Sequence, residues 1–129
     1  MLYNNQNAYT TALIYPNAPA LKRFLETKQI AASTDEGIKA ALQKIEDEIN
    51  EYKHNGKFQH MFPHRWLPAA IGVLGEGFTE DNHMMNSTMK MVRGKITEFY
   101  RERISFLYTH PAKEIQNDAN IQAMKKLLG

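Results

Sequence analysis

The chain has 129 residues, enough for one domain with a modest core, and its 43% apolar and 23% charged content excludes a disordered polymer. Sixteen Lys and Arg against fourteen Asp and Glu leave +2, without the dense basic stripe of a dedicated nucleic-acid binder. There is no Cys, which removes disulfide scaffolds, thiolate zinc sites and cysteine nucleophiles and fits a reducing cytoplasm.

No apolar run reaches the roughly 18–20 residues of a membrane helix. The longest, residues 66–74, is interrupted by Pro68 and Gly72. Residues 1–8 show no basic stretch followed by an apolar one, so no signal peptide is read there.

Residues 9–15 (YTTALIY) form a β-rich run ending at Pro16 and read as a buried strand. Pro16 and Asn17 mark a turn. Residues 18–28 place Leu21, Phe24 and Leu25 on one helical face, with Pro19 tolerated in the first turn. Ser33 and Glu36 have capping-box spacing. The helix they open carries Ile38, Leu42, Ile45, Ile49 and Tyr52 as one apolar stripe, and Asn55 and Gly56 end it. Residues 58–68 are aromatic-rich and broken by Pro63 and Pro68, residues 69–74 read as a second strand, and residues 75–77 as a turn. Residues 81–87 read as a loop with an apolar Met84 and Met85 pair. Residues 94–108 bring Ile96, Phe99, Tyr100, Ile104 and Leu107 to one face of a single helix, and residues 119–128 form a shorter one. The class is α+β: a small sheet packed with three to four helices. Two strands alone make a marginal sheet, so strands are hidden in loops or the chain is an incomplete piece of a larger sheet.

His60 and His64 have the i,i+4 spacing of a helical metal pair, but Pro63 breaks a continuous helix there and no acidic partner lies near, so no metal site is expected. The Gly75 and Gly77 turn lacks the third glycine of a kinase phosphate loop and reads as a plain turn. Ser87 and Thr88 have no base and orienting partner, and read as loop hydroxyls or caps. Lys90, Arg93 and Lys95 form a small basic cluster. It is either a solvated face or an anion clamp for phosphate or carboxylate oxygens.

The segment 78–93, FTEDNHMMNSTMKMVR, resembles the C-terminal signature of AMP-forming long-chain acyl-CoA ligases, which runs roughly F-T-x-E-N-G-L-L-T-P-T-x-K-x-K-R. Phe78, Thr79, Asn82, Thr88, Lys90 and Arg93 match. Downstream, Tyr100, Ile104, Leu107 and Tyr108 resemble the family's closing Y-x-x-x-I-x-x-L-Y helix, and residues 9–17 (YTTALIYPN) are similar to its A-L-I-x-P strand. Asn86 and Ser87 stand where the pattern has Thr-Pro, His83 replaces a glycine and Val92 a lysine. These departures make the loop less rigid and less basic than the pattern.

The resemblance implies that residues 1–110 are a partial C-terminal domain of such a ligase, lacking its first strands, with 111–129 a C-terminal helical extension. It implies Lys90 as the catalytic lysine, with Lys95 the runner-up because other branches of the adenylate-forming superfamily place their lysine in an S-G-K-I context. Thr88 and Arg93 would support the substrate phosphate. The full-length enzyme would use ATP, Mg and coenzyme A on a fatty acid, with an N-terminal adenylation domain as partner. It would be cytoplasmic or peripheral to a membrane. No phosphate loop or ATP-binding core is present in these residues, so the chain holds no cofactor itself and is expected to be inactive alone. The alternative is a standalone interaction or regulatory domain that kept this fold and lost the chemistry. It would self-associate through an exposed sheet edge. A third reading is an unrelated α+β binding module.

Overall fold

A computed structural model describes residues 1–4 and 7–129, without the side chain of His64. Among these residues the fold is α+β, with a three-stranded mixed sheet and five α-helices. Strand β1 (Leu2–Tyr3) pairs antiparallel with β2 (Thr11–Ile14), which pairs parallel with β3 (Ala70–Val73). The expected strands are found with tighter limits. The third, β1, was hidden, because two residues carry no alternation to read.

The β2–β3 crossover holds α1 (Ala18–Thr27) and α2 (Asp35–Asn50). Asn17 caps α1 by accepting the Ala20 N–H. The cap of α2 is Thr34 rather than Ser33: its Oγ1 accepts the Gly37 N–H at 3.1 Å and donates to the Ala31 carbonyl at 2.7 Å. Gly37 explains the shift. A Cβ there would lie 2.2 Å from the Ala31 carbonyl oxygen, so only glycine lets the entering chain fold against the first turn. Asp35 and Glu36 then sit at the positive end of the helix dipole. Gln29 ends α1 in the left-handed region, φ 58°, where its neighbour Ile30 donates back to the Leu25 carbonyl.

After β3 the chain forms α3 (Arg93–Phe99), α4 (Arg101–Leu107) and α5 (Asp118–Leu128). The single helix expected over residues 94–108 is jointed at Tyr100, whose ψ of 24° leaves the helical range. The Tyr100 N–H donates to the Ile96 carbonyl and the Tyr100 carbonyl accepts from Ile104, so the two helices meet at this one residue, a bend and not a loop. Ile96 is buried on one side of it, and Ile104 and Leu107 on the other.

Alternating residues of the strands feed two apolar clusters, one on each face of the sheet. Ile14, Ile71 and Val73 join Leu21, Leu25, Ile38 and Leu42 of the crossover helices. Leu13, Ala70 and Leu74 join Met84, Ile96, Ile104 and Leu107. Every residue of β3 is buried, as a strand covered on both faces requires. Residues 111–129, read as an extension, take part in this core: Ile115, Met124 and Leu128 lie in the first cluster.

The outer edge of β3 is closed by α5. Asn120, 0% exposed, accepts the Val73 N–H at 2.8 Å and donates from Nδ2 to the carbonyls of Ile71 (2.9 Å) and Ile115 (3.0 Å). Arg103 Nη2 donates to the Val73 carbonyl and to Asn120 Oδ1. Burial pulls the Arg103 guanidinium below its ordinary pKa, partly offset by Tyr100. At the opposite edge, Arg93 Nη2 donates to the Leu2 carbonyl at 2.7 Å. Both edges thus carry side-chain hydrogen bonds where a further strand would otherwise pair.

Replacing Asn120 by Leu, which has the same branching without polar atoms, leaves the Val73 N–H and two carbonyls without partners. The expected loss is about 3 kcal/mol of unfolding free energy. Urea denaturation followed by circular dichroism measures it, and a loss under about 1 kcal/mol would contradict the edge-closing role.

Candidate functional site

The segment that carries the motif, residues 78–93, leaves the sheet after β3 and ends at the first residue of α3. Its first half is held by Thr79 and Asn82. The Thr79 N–H donates to Asn82 Oδ1 at 3.0 Å, and the Asn82 N–H donates to Thr79 Oγ1 at 3.1 Å. Asn82 also accepts the Met84 N–H and donates to the Gly77 carbonyl. His83 takes a φ of 64°, a left-handed conformation that costs a side-chain-bearing residue about 1 kcal/mol or more. Phe78 packs against the second core cluster, and Met84, 1% exposed, lies within it. These contacts seat the base of the loop on the sheet.

The second half is a tight hairpin. Met85 and Met91 form an antiparallel bridge, and Val92 donates to the Met84 carbonyl. At the tip, Asn86 Oδ1 accepts the N–H of Thr88 (3.0 Å), the hydroxyl of Thr88 (2.7 Å) and the N–H of Lys90 (3.0 Å). The Asn86 N–H donates to the Lys90 carbonyl at 2.9 Å. Met89 completes the turn at φ 63° and turns its thioether to solvent, 67% exposed. At positions 86 and 87 the tip is organised by hydrogen bonds from the Asn86 side chain.

The site residues therefore play different parts. The Thr88 hydroxyl is spent on Asn86. Arg93 faces β1 through its bond to Leu2 and is not turned toward the hairpin tip. The Lys90 side chain is exposed, and among the described residues its ammonium has no hydrogen-bond or ion-pair partner. Lys95 is also exposed, on α3. Lys90 is thus an exposed cation without a side-chain partner, on a backbone that Asn86 holds at both its polar groups. A groove of about 570 Å³ between β1 and the α3–α4 pair is lined by Tyr3, Asn4, Arg93, Thr97, Glu98 and Arg101, and by no residue of the hairpin tip. Among the described residues, no group of three or more His, Asp or Glu side chains is placed to hold a metal ion. No described helix is long and apolar enough to cross a membrane. The residue that organises the tip is Asn86, which motif matching alone does not single out. An Asn followed by Ser and Thr in a polar loop is an Asx-turn signal that could have found it.

No family model, curated protein or solved structure matches the chain.

Two substitutions separate the parts. Lys90→Ala is expected to leave stability within about 0.5 kcal/mol, as for an exposed side chain without partners. Asn82→Ala removes three side-chain hydrogen bonds at the loop base and should cost about 2 kcal/mol. Thermal unfolding of the two variants measures both, and equal effects would refute this division.

Proposed function

We propose that the chain is the C-terminal part of an AMP-forming long-chain acyl-CoA ligase, and that Lys90 is its mobile catalytic lysine. The observation that carries this reading is the division of labour within the motif. Of the six matched residues, Phe78, Thr79, Asn82, Thr88 and Arg93 each have a side-chain packing or hydrogen-bonding task in this fold, and the Lys90 side chain has none. The left-handed backbone at His83 adds support, because the family pattern has glycine at that position and glycine adopts this conformation without strain.

In the first half-reaction a fatty-acid carboxylate oxygen attacks the α-phosphorus of ATP. The bond to pyrophosphate breaks and acyl-AMP is left. Negative charge gathers on the carboxylate and phosphate oxygens in the transition state, and the Lys90 ammonium stabilises it. The thiol of coenzyme A then displaces AMP. ATP, Mg, the acyl chain and coenzyme A would be held by the adenylation domain, so the isolated chain turns over nothing. The hairpin of this chain presents one cation, Lys90, at its tip.

A second reading, a standalone interaction domain, is favoured by an apolar groove of about 580 Å³ at the β1 end of α2, lined by Leu2, Ile14, Ile49, Tyr52, Phe62 and Trp66. Trp66 is 53% exposed there, and such apolar exposure marks contact surfaces.

Sequencing the coding locus upstream of Met1 tests the two. An in-frame adenylation domain is expected. In that enzyme Lys90→Ala should lower acyl-adenylate formation by about 100-fold or more, with Lys95→Ala within a few-fold of the parent. A frame without that domain, or acyl-CoA formation by the isolated chain, would overturn the ligase-fragment reading.

A further inference from the structure

We propose that Asn86 is the positioning residue of the Lys90 hairpin, an inference that rests on Lys90 being the acting cation. Five hydrogen bonds run between Asn86 and the four residues after it. Three end on its side-chain oxygen, from the Thr88 N–H, the Thr88 hydroxyl and the Lys90 N–H. The other two are main-chain bonds, from the Asn86 N–H to the Lys90 carbonyl and from the Met89 N–H to the Asn86 carbonyl. Both main-chain polar groups of Lys90 therefore end on Asn86. The backbone of the lysine is fixed at its N–H and its carbonyl, and its side chain is left unattached.

The ligase pattern places Thr-Pro at positions 86 and 87, where the proline ring would hold φ. Here the same restraint comes from a side-chain amide. It spans a wider stretch than a ring, because it reaches Lys90 itself, four residues on. Thr88 belongs to this device: its hydroxyl donates to Asn86. Met89 absorbs the reversal of the chain at φ 63°. A cation whose backbone is ordered beforehand loses less freedom when it meets its anion. Asn86 acts on the reaction only through Lys90. Asn86 is exposed at the tip and lies outside both core clusters, so its replacement leaves the fold intact.

Amide hydrogen exchange by NMR on the full chain tests the restraint. The Thr88 and Lys90 amides should exchange more slowly than Ser87. Asn86→Ala should speed both by about tenfold, the size of one lost hydrogen bond, and Asn86→Asp, which keeps the acceptor oxygen, should restore them. The Val92 amide, bonded to Met84 at the hairpin base, reports that the fold is unchanged. Exchange at Lys90 that does not respond to Asn86→Ala overturns the proposal. In the parent ligase Asn86→Ala should lower kcat for acyl-adenylate formation by about tenfold with KM for ATP unchanged, and Asn86→Asp should recover it. A kcat that does not move, beside faster exchange, overturns the positioning role. The exchange experiment involves no acyl-CoA chemistry, so a missing adenylation domain would refute the ligase reading without touching the loop result.

Discussion

The structure depends on how the outer edge of β3 is closed. A sheet of three short strands has few ladder bonds, and its fully buried strand borders no fourth. Asn120 supplies the missing neighbour. Its amide presents one acceptor and two donor hydrogens to a backbone that offers the complementary groups, and Arg103 takes the next carbonyl along. All capacity of the Asn120 side chain is used, so a buried polar group becomes a specific lock instead of a cost. With β3 fixed, β2 is held between β1 and β3, the crossover helices cover one face and the jointed α3–α4 pair the other. Gly72 permits the second packing: a Cβ there would press on Leu13 and Leu107.

The motif loop uses the same chemistry for a different end. Asn82 and Asn86 each turn a side-chain amide oxygen onto several backbone N–H groups, so the loop is stiff although its tip contributes nothing to the core. The apolar anchors are Phe78, packed against the second cluster, and Met84, buried within it. Beyond them the exposed side chains of Met89, Lys90 and Met91 stand on a constrained backbone. A loop of this kind separates local order from burial.

Much of this was legible from residue order. The sixteen-residue α2 announces itself through period and charge, and the strands through their β-branched runs. The failures have local causes. The α2 cap moved from Ser33 to Thr34 because Gly37 admits a close chain approach that no pattern encodes. The apolar period of residues 94–108 continues through the joint at Tyr100, since both segments face one core, so period alone cannot reveal the bend. Asn120 looks like an ordinary polar residue in the first turn of a helix; its role depends on a strand 47 residues earlier. Within the loop, Lys90 stood out by motif, while Asn86 counted as a departure until its hydrogen bonds were visible.

The distance between β3 and its closing amide also has a consequence in time. Val73 leaves the ribosome 47 residues ahead of Asn120, which at cellular elongation rates is an interval of roughly 2–9 s. Non-local strand pairing takes roughly milliseconds to a second, so β2 and β3 can meet before α5 is complete. During synthesis the nascent chain carries a hydrophobic strand with one open edge, the form most prone to pairing with a neighbouring chain on the same message. The asparagine that completes the fold also ends that exposure, and the helix that bears it sets when the protein becomes safe from its own copies.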